Sequence, residues 1–463
     1  MEGRWTPLTN DMTTGRPLPL LVKFAIPLTL GNILQQLYNV ADSVIAGQFI
    51  GVDALAAIGS AGPLMFMVTG WLNGLTSGFA VLLSQSFGAG KKEELRRYAA
   101  LSVTISFVVT VVLTSILLAA NRTILGWMNV PQELMGQTWR YTEVIYGGLL
   151  ATCAYNALSA ALRALGDGKT PLYFLLLASV LNVALDIIFI VSFGMDVEGC
   201  AWATVIAQGF SAVCCLFYIG KKYEILRLSR ADFRYSGKRV GELLALGVPM
   251  GLQFSITGIG TVILQGVVNT FGAVCMAGYS AANKLQNIIW IIYFSLATAA
   301  GTFVGQNMGA KRMDRIRQGV RTAQWMILVW SVAAIAMVYL AGPYMLRLFV
   351  DASETAVIDA AQTFFRVSGW AYPFLGSLCL YRNVISGMGN GWIPMLAGVA
   401  ELLARCLVVG IVSGWGSYAA VCFADPVAWV ASVIPLVPYY LWRSRKSADA
   451  LPRQAENGIF VQK

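Results

Sequence analysis

Six stretches of this chain, 54–90, 98–121, 199–220, 243–283, 285–310 and 322–346, contain no charged residue. As helices they are long enough to cross the roughly 30 Å hydrocarbon layer of a bilayer, where an open-ended structure other than a helix leaves backbone polar groups unpaired. Only 12% of the 463 residues are charged and 57% are hydrophobic, whereas ordinary soluble domains carry about a quarter charged residues. The chain therefore reads as an all-α polytopic membrane protein.

Twelve transmembrane helices are expected, at about 20–46, 54–80, 98–121, 136–161, 170–193, 199–219, 241–268, 279–304, 322–342, 360–386, 392–413 and 419–442. Within the tenth, Arg366 and Arg382 leave fifteen uncharged residues between them, and both side chains are expected to snorkel to the interfaces. Basic residues crowd alternate connections: Lys91, Lys92, Arg96 and Arg97; Arg163 and Lys169; Lys221 to Arg239; Lys311 to Arg321; Arg382 and the tail. The opposite connections hold only Arg122 and Arg347. This asymmetry places both termini in the cytoplasm of a multi-pass cell-membrane protein, and it explains the net charge of +10 without nucleic acid. Residues 1–19 lack the compact apolar run of a removable leader, so the first span is expected to be retained.

The chain repeats itself. SQSFGAGKKEELRR at 84–97 returns as GQNMGAKRMDRIRQ at 305–318, and Pro27, Ala56, Gly166, Gly168 and Pro171 find partners in Pro249, Ala277, Gly389, Gly391 and Pro394. Two six-helix bundles related by an axis along the membrane normal follow, because an even number of spans preserves orientation. The expected divisions are 1–219, a cytoplasmic linker 220–240, 241–442 and a cytoplasmic tail 443–463. Gly88 and Gly309 are expected to release their helices into left-handed or open caps. Pro27 and Pro249 lie inside apolar spans, where they open a turn or permit bending.

Composition narrows the chemistry. Histidine is absent, the eight cysteines are scattered without a CxxC pair, and 46 glycines suit close helix approach in a bilayer. GDGKT at 166–170 mimics a phosphate-binding loop, but the position of that loop's first glycine is Arg163, and the surroundings are helical. Neither enzymatic chemistry nor a bound cofactor is indicated.

Asn32, Gln35, Asn39 and Asp42 fall three or four residues apart on the first span. A carboxylate at membrane depth faces a bundle interior or water and commonly exchanges something there. Asn182 and Asp186 lie one helical turn apart on the fifth span, and Thr204 follows on the sixth. If Asp42 approaches them, two carboxylates, a carboxamide oxygen and a hydroxyl suit a sodium ion or one shared proton; a static polar network is the alternative. The second half does not duplicate these acids: Asp42 matches roughly Leu264, Asn182 matches Arg405 and Asp186 matches Val409.

Other polar faces outline a substrate passage. Gln253, Thr257 and Thr261 recur along the seventh span, and Asn283, Gln286 or Asn287, Trp290 and Tyr293 along the eighth. Amide and aromatic groups in such a cavity can hold a flat organic cation. Glu401 and Arg405 are spaced as a local ion pair, with substrate contact as the alternative reading. Arg140 and Glu143 are expected to be local electrostatic residues, and Lys284 to snorkel outward.

The duplicated six-span organisation over about 20–442, the paired Q-x-x-G-A turns at 85–89 and 306–310, and Asp42 with Asn182, Asp186 and Thr204 resemble the multidrug and toxic compound extrusion family. The resemblance implies an alternating-access antiporter that exports amphipathic, often cationic organic compounds against sodium or protons, among membrane lipids and as a functional monomer. It is most similar to the branch whose cation-responsive site lies in the N-terminal lobe. The branch with an acid in the seventh span matches less well, because Gln253 stands in that region. A lipid or glycan flippase is the main alternative; a channel and a non-transporting receptor are the others.

Overall fold

The computed structural model describes residues 10–347, 349, 351 and 353–457, with side chains excepted at Ser413 and beyond Lys446. The first nine residues of the expected polar N-terminal segment and the end of the expected tail lie outside the described residues. All regular structure among the described residues is helical. The helices are α1 (Pro17–Ile45), α2 (Val52–Gly88), α3 (Lys92–Trp127), α4 (Gln132–Gly147), α5 (Leu149–Ala164), α6 (Lys169–Ile187), α7 (Val197–Lys222) and α8 (Gly237–Asn269). They continue with α9 (Ala273–Gly309), α10 (Met313–Ala336), α11 (Gly342–Leu346), α12 (Thr355–Ser368), α13 (Tyr372–Gly387), α14 (Trp392–Val412), α15 (Tyr418–Cys422) and α16 (Ala424–Asn457).

Among the described residues ten helical segments are long and apolar enough to cross a membrane, or eleven when the pair α4 and α5, bent by 47°, is taken as one span. The bend has a packing cause: a Cβ on Gly148 would lie 2.1 Å from Cγ2 of Val205, so the glycine break admits that α7 side chain. The segment expected as a single span at 360–386 is interrupted by a 3-10 turn at Gly369–Ala371 between α12 and α13. There the Tyr339 phenol closes on Gly369 and its hydroxyl donates to the Arg366 carbonyl at 3.2 Å.

α14 has the inverted amphipathy of a membrane helix. Leu403, Leu407 and Ile411 are 63%, 64% and 54% exposed, whereas Glu401 and Arg405 are each 3% exposed. Its charges are thus enclosed by protein and its aliphatic side chains are left for lipid.

The chain forms two compact units. The first comprises Ile26–Ser255 with the segment ending at Asp11; the second comprises residues from Ile256 onward with Met12–Ala25. In the first unit α2 and α8 touch through glycine. A Cβ on Gly74 would lie 2.5 Å from the Met250 carbonyl oxygen, and one on Gly78 would lie 2.5 Å from the Gly247 Cα. Such separations exclude any side chain, as expected for helices whose association in lipid relies on close packing. Gly78→Val is therefore expected to abolish the monodisperse folded species in size-exclusion chromatography, since overpacking costs about 1–3 kcal/mol or more. Gly59→Val on the same helix, where a Cβ meets nothing within 4 Å, should elute as the unmodified protein does.

In the second unit Gln306 of the repeated turn anchors the segment before α1. The Met12 amide donates to Gln306 Oε1 at 2.9 Å, while Asn307 Nδ2 and Arg315 Nη2 donate to the Met12 carbonyl, each at 3.1 Å. The turn is therefore structural.

Left-handed backbone positions recur between the halves: Gly51 with Gly272, Gly90 with Lys311, Gly166 with Gly389, and Gly194 with Gly416. Gly88 and Gly309, expected to release their helices into left-handed or open caps, are the last residues of α2 and α9, and the left-handed turn comes two residues later. Ala89 and Ala310 remain right-handed, and the reversal falls on Gly90 and Lys311. Between α7 and α8 the chain is held locally. Ser229 caps a short 3-10 turn, and its amide and hydroxyl keep the Asp232 carboxyl below the usual carboxylate range.

Candidate ion-coupling site

Three helices of the first unit bring Asp42, Asn182, Asp186 and Thr204 together. α1 carries Asp42 three residues before its end, and the turn beyond is a π-helical segment, Ala46–Ile50. On α6 the one-turn spacing of Asn182 and Asp186 puts both side chains inward, each 0% exposed. α7 supplies Thr204, whose hydroxyl accepts from the Tyr38 phenol at 3.0 Å and from Asn182 Nδ2 at 3.5 Å. The Asp42 carboxyl faces both the Asp186 carboxyl and the Thr204 hydroxyl.

Four oxygen atoms of this cluster lack donors. Asp42 Oδ1, both Asp186 carboxyl oxygens and Asn182 Oδ1 are buried without a hydrogen-bond partner among the described residues. Buried acceptors are normally satisfied, and two bare carboxylates side by side repel one another in a low-dielectric surrounding. A proton or a small hard cation placed among them supplies the missing positive charge and gives the oxygens a partner. Among the described residues no group of three or more His, Cys, Asp and Glu is placed to hold a metal ion.

The surroundings differ along the helix axes. One turn beyond the polar groups, Ile45, Ala46, Ile190 and Cys200 form an apolar layer with Tyr141 and Val183 packed against it. In the opposite direction Gln35, Tyr38, Ser179 and Gln208, together with Leu175, Ala178 and Ala207, line a small recess. The apolar layer resists passage of a charge beyond the polar groups.

Tyr38 and Tyr141 were not among the expected site residues. Tyr38 lies one helical turn before Asp42, a legible signal obscured by the frequency of tyrosine at membrane interfaces. Tyr141 comes from α4 and interacts electrostatically with Asp42 and Asp186; no spacing connects it to them.

The other expected residues are dispersed. Gln35 and Asn39 are exposed and Asn32 is half-buried on α1. Gln253 belongs to the first unit and Thr257 to the second. Asn283, Gln286, Asn287 and Trp290 are half-buried along α9, with Trp290 stacked on Phe294 at 4.9 Å between ring centroids. Tyr293 is fully buried and shares a 2.7 Å hydrogen bond with Ser331, which makes it part of the helix packing. Thr261 is exposed and bonds back to its own helix.

Several charged groups behave differently from expectation. Arg382 does not snorkel: it is buried and paired with Glu401 at 2.6 Å, because an acid on α14 lies within its reach. Glu401 and Arg405 form the expected ion pair at 3.1 Å, but Asp425 joins it at 2.9 Å from Arg405. Arg140 reaches Asp196 and Glu198 at 3.7 and 3.5 Å. Lys284 lies exposed over the Phe349 ring. Asp167, in the phosphate-loop mimic, accepts from the Lys169 and Thr170 amides and thereby caps α6.

The MatE family model matches residues 27–188 and again 249–413. A probable multidrug resistance protein of Bacillus subtilis, YoeA, is 26% identical over 442 residues, covering 91% of this chain and 94% of its own length. A second from the same organism, YpnP, is 28% identical, covering 88% and 87%. Among solved structures, MATE in the straight conformation superposes with a TM-score of 0.86 at 22% identity over 98% of this chain and 99% of that one. An outward-facing MATE family transporter gives a TM-score of 0.85 at 21% identity, covering 98% and 99%.

Proposed function

We propose that this chain, which belongs to the MatE family and is a multidrug efflux transporter and not an enzyme, exports amphipathic organic cations in exchange for sodium ions or protons by alternating access. The observation that carries the coupling mechanism is the set of donor-less oxygens on Asp42, Asn182 and Asp186, enclosed by α1, α6 and α7. We place the chain in the branch with a cation-responsive N-terminal lobe; their meeting in one unit and the neutral Gln253 support this.

The architecture is twelve spans in two pseudosymmetric six-helix lobes, 1–219 and 241–442, joined by a cytoplasmic linker at 220–240, with both termini and the 443–463 tail cytoplasmic. The twofold match of the family model supports the duplication. So do the recurring left-handed positions. So does the break of α4 from α5 at Gly148 alongside that of α12 from α13 at Gly369–Ala371, at matching places in the two halves. On this reading α12 and α13 are one broken span, as α4 and α5 are.

Uptake of one positive charge between Asp42 and Asp186 removes their repulsion and draws α1 towards α6 and α7. Coupling requires the ion and the drug to prefer different conformations, since equal affinity for both shifts nothing. A functional monomer suffices; in the first unit Asn32, Gln35, Asn39 and Gln253, and in the second Thr257, Asn283, Gln286, Asn287 and Trp290, are assigned to substrate contact, with Tyr293 supporting α9 through its bond to Ser331. Proteoliposomes given a sodium gradient or a pH gradient separately should accumulate a fluorescent organic cation with one of them. Movement of labelled lipid with no drug movement under either gradient would establish a flippase instead.

A further inference from the structure

The second unit holds four buried charges in one chain of contacts. Arg382 Nη2 bonds Glu401 Oε2 at 2.6 Å, and Arg405 Nη2 bridges Glu401 Oε1 at 3.1 Å and Asp425 Oδ1 at 2.9 Å. Arg405 Nε adds a second bond to Asp425 Oδ1 at 3.1 Å. All four residues are at least nine-tenths buried, and the charges balance.

The repeat makes the location informative. Arg405 occupies the second-half position of Asn182, and Gly260 occupies that of Tyr38; Asp425 lies within a residue of the position matching Thr204. In the first unit Thr204 accepts from Tyr38 and Asn182 beside the donor-less oxygens Asp42 Oδ1 and Asp186 Oδ1 and Oδ2. In the second unit a Cβ on Gly260 would lie 2.4 Å from Arg405 Nη1. The absent side chain at Gly260 thus makes room for the guanidinium, and Nη1 has no acceptor among the described residues. In the second unit a covalently attached positive charge thus stands against buried acids, on the helices that match those carrying the first unit's polar cluster.

We propose that Arg405 is a tethered cation filling a latent second cation site, formed by Glu401 Oε1 and Asp425 Oδ1, and so restricts ion coupling to the first unit. This rests on the reading of the first unit as a cation site. Arg382 neutralises one side of Glu401 only, so removal of the Arg405 charge leaves Asp425 and the second Glu401 oxygen facing each other without a cation. That pair then recruits one positive charge, as sodium or as a proton.

The test uses the full chain carrying Asp42→Asn and Asp186→Asn, which removes the first site and so separates the failure of this proposal from the failure of the reading beneath it. Arg405→Met is added, with Arg405→Lys as the charge-preserving control. Thermal unfolding is followed against sodium at constant ionic strength and, separately, against pH. The Met variant is expected to gain several degrees with sodium or with acid, the two titrations distinguishing ion from proton, while the parent and the Lys control stay flat. If Arg405→Met does not purify, Arg405→Ala is purified with and without millimolar guanidinium, whose addition is expected to restore the folded species. A folded Met variant insensitive to both sodium and acid would overturn the proposal, as would failure of guanidinium to restore the Ala variant.

Discussion

Asp186→Asn is expected to reduce gradient-driven drug export by roughly 5- to 150-fold, the range spanned by coupling free energies of typical linked sites. The substitution keeps the shape of a side chain that is 0% exposed and removes only its charge. It also removes the reason for a positive ion to bind, because Asp42 no longer faces a second carboxylate. Drug binding measured without a gradient should persist, since the residues proposed to contact substrate are left unchanged. Export by proteoliposomes under sodium and pH gradients, compared at equal reconstituted protein, decides the matter; an undiminished rate would remove Asp186 from the coupling.

The second large effect is on stability. Glu401→Ala takes from the buried Arg382 guanidinium the acid it pairs with and leaves Arg405 paired with Asp425, a change expected to cost about 3–5 kcal/mol. Replacing all four charged residues together, as Arg382→Met, Glu401→Leu, Arg405→Met and Asp425→Leu, should recover most of that loss, because a buried ion network and a packed apolar one are often nearly equivalent. The two chains can be ranked by the temperature at which each leaves the monodisperse state. Equal destabilisation in both would show that the network contributes more than mutual neutralisation of its charges.

Much of this molecule could be read from its residues. The uncharged intervals locate the membrane-crossing helices, and the one-turn spacing of Asn182 and Asp186 puts them on a common face. Convergence of α1, α6 and α7 depends on packing among distant segments, so Asp42 could be paired with Asp186 only through the family resemblance. Tyr141 illustrates what spacing cannot supply: it reaches the site from α4, packed against the layer of Ile45, Ala46, Ile190 and Cys200. Arg382 was misread because an interfacial arginine and one satisfied by a distant acid have the same local sequence. Glu401, nineteen residues away, decides between them.

Counting positive charge on the purified protein tests the central claim most directly. Sodium binding at fixed pH and proton uptake at fixed sodium are measured on the unmodified chain and on the Asp42→Asn, Asp186→Asn double variant. Coupling through this pocket requires one positive charge to be taken up by the first and none by the second. Equal uptake by both chains would contradict the assignment of the ion to α1, α6 and α7.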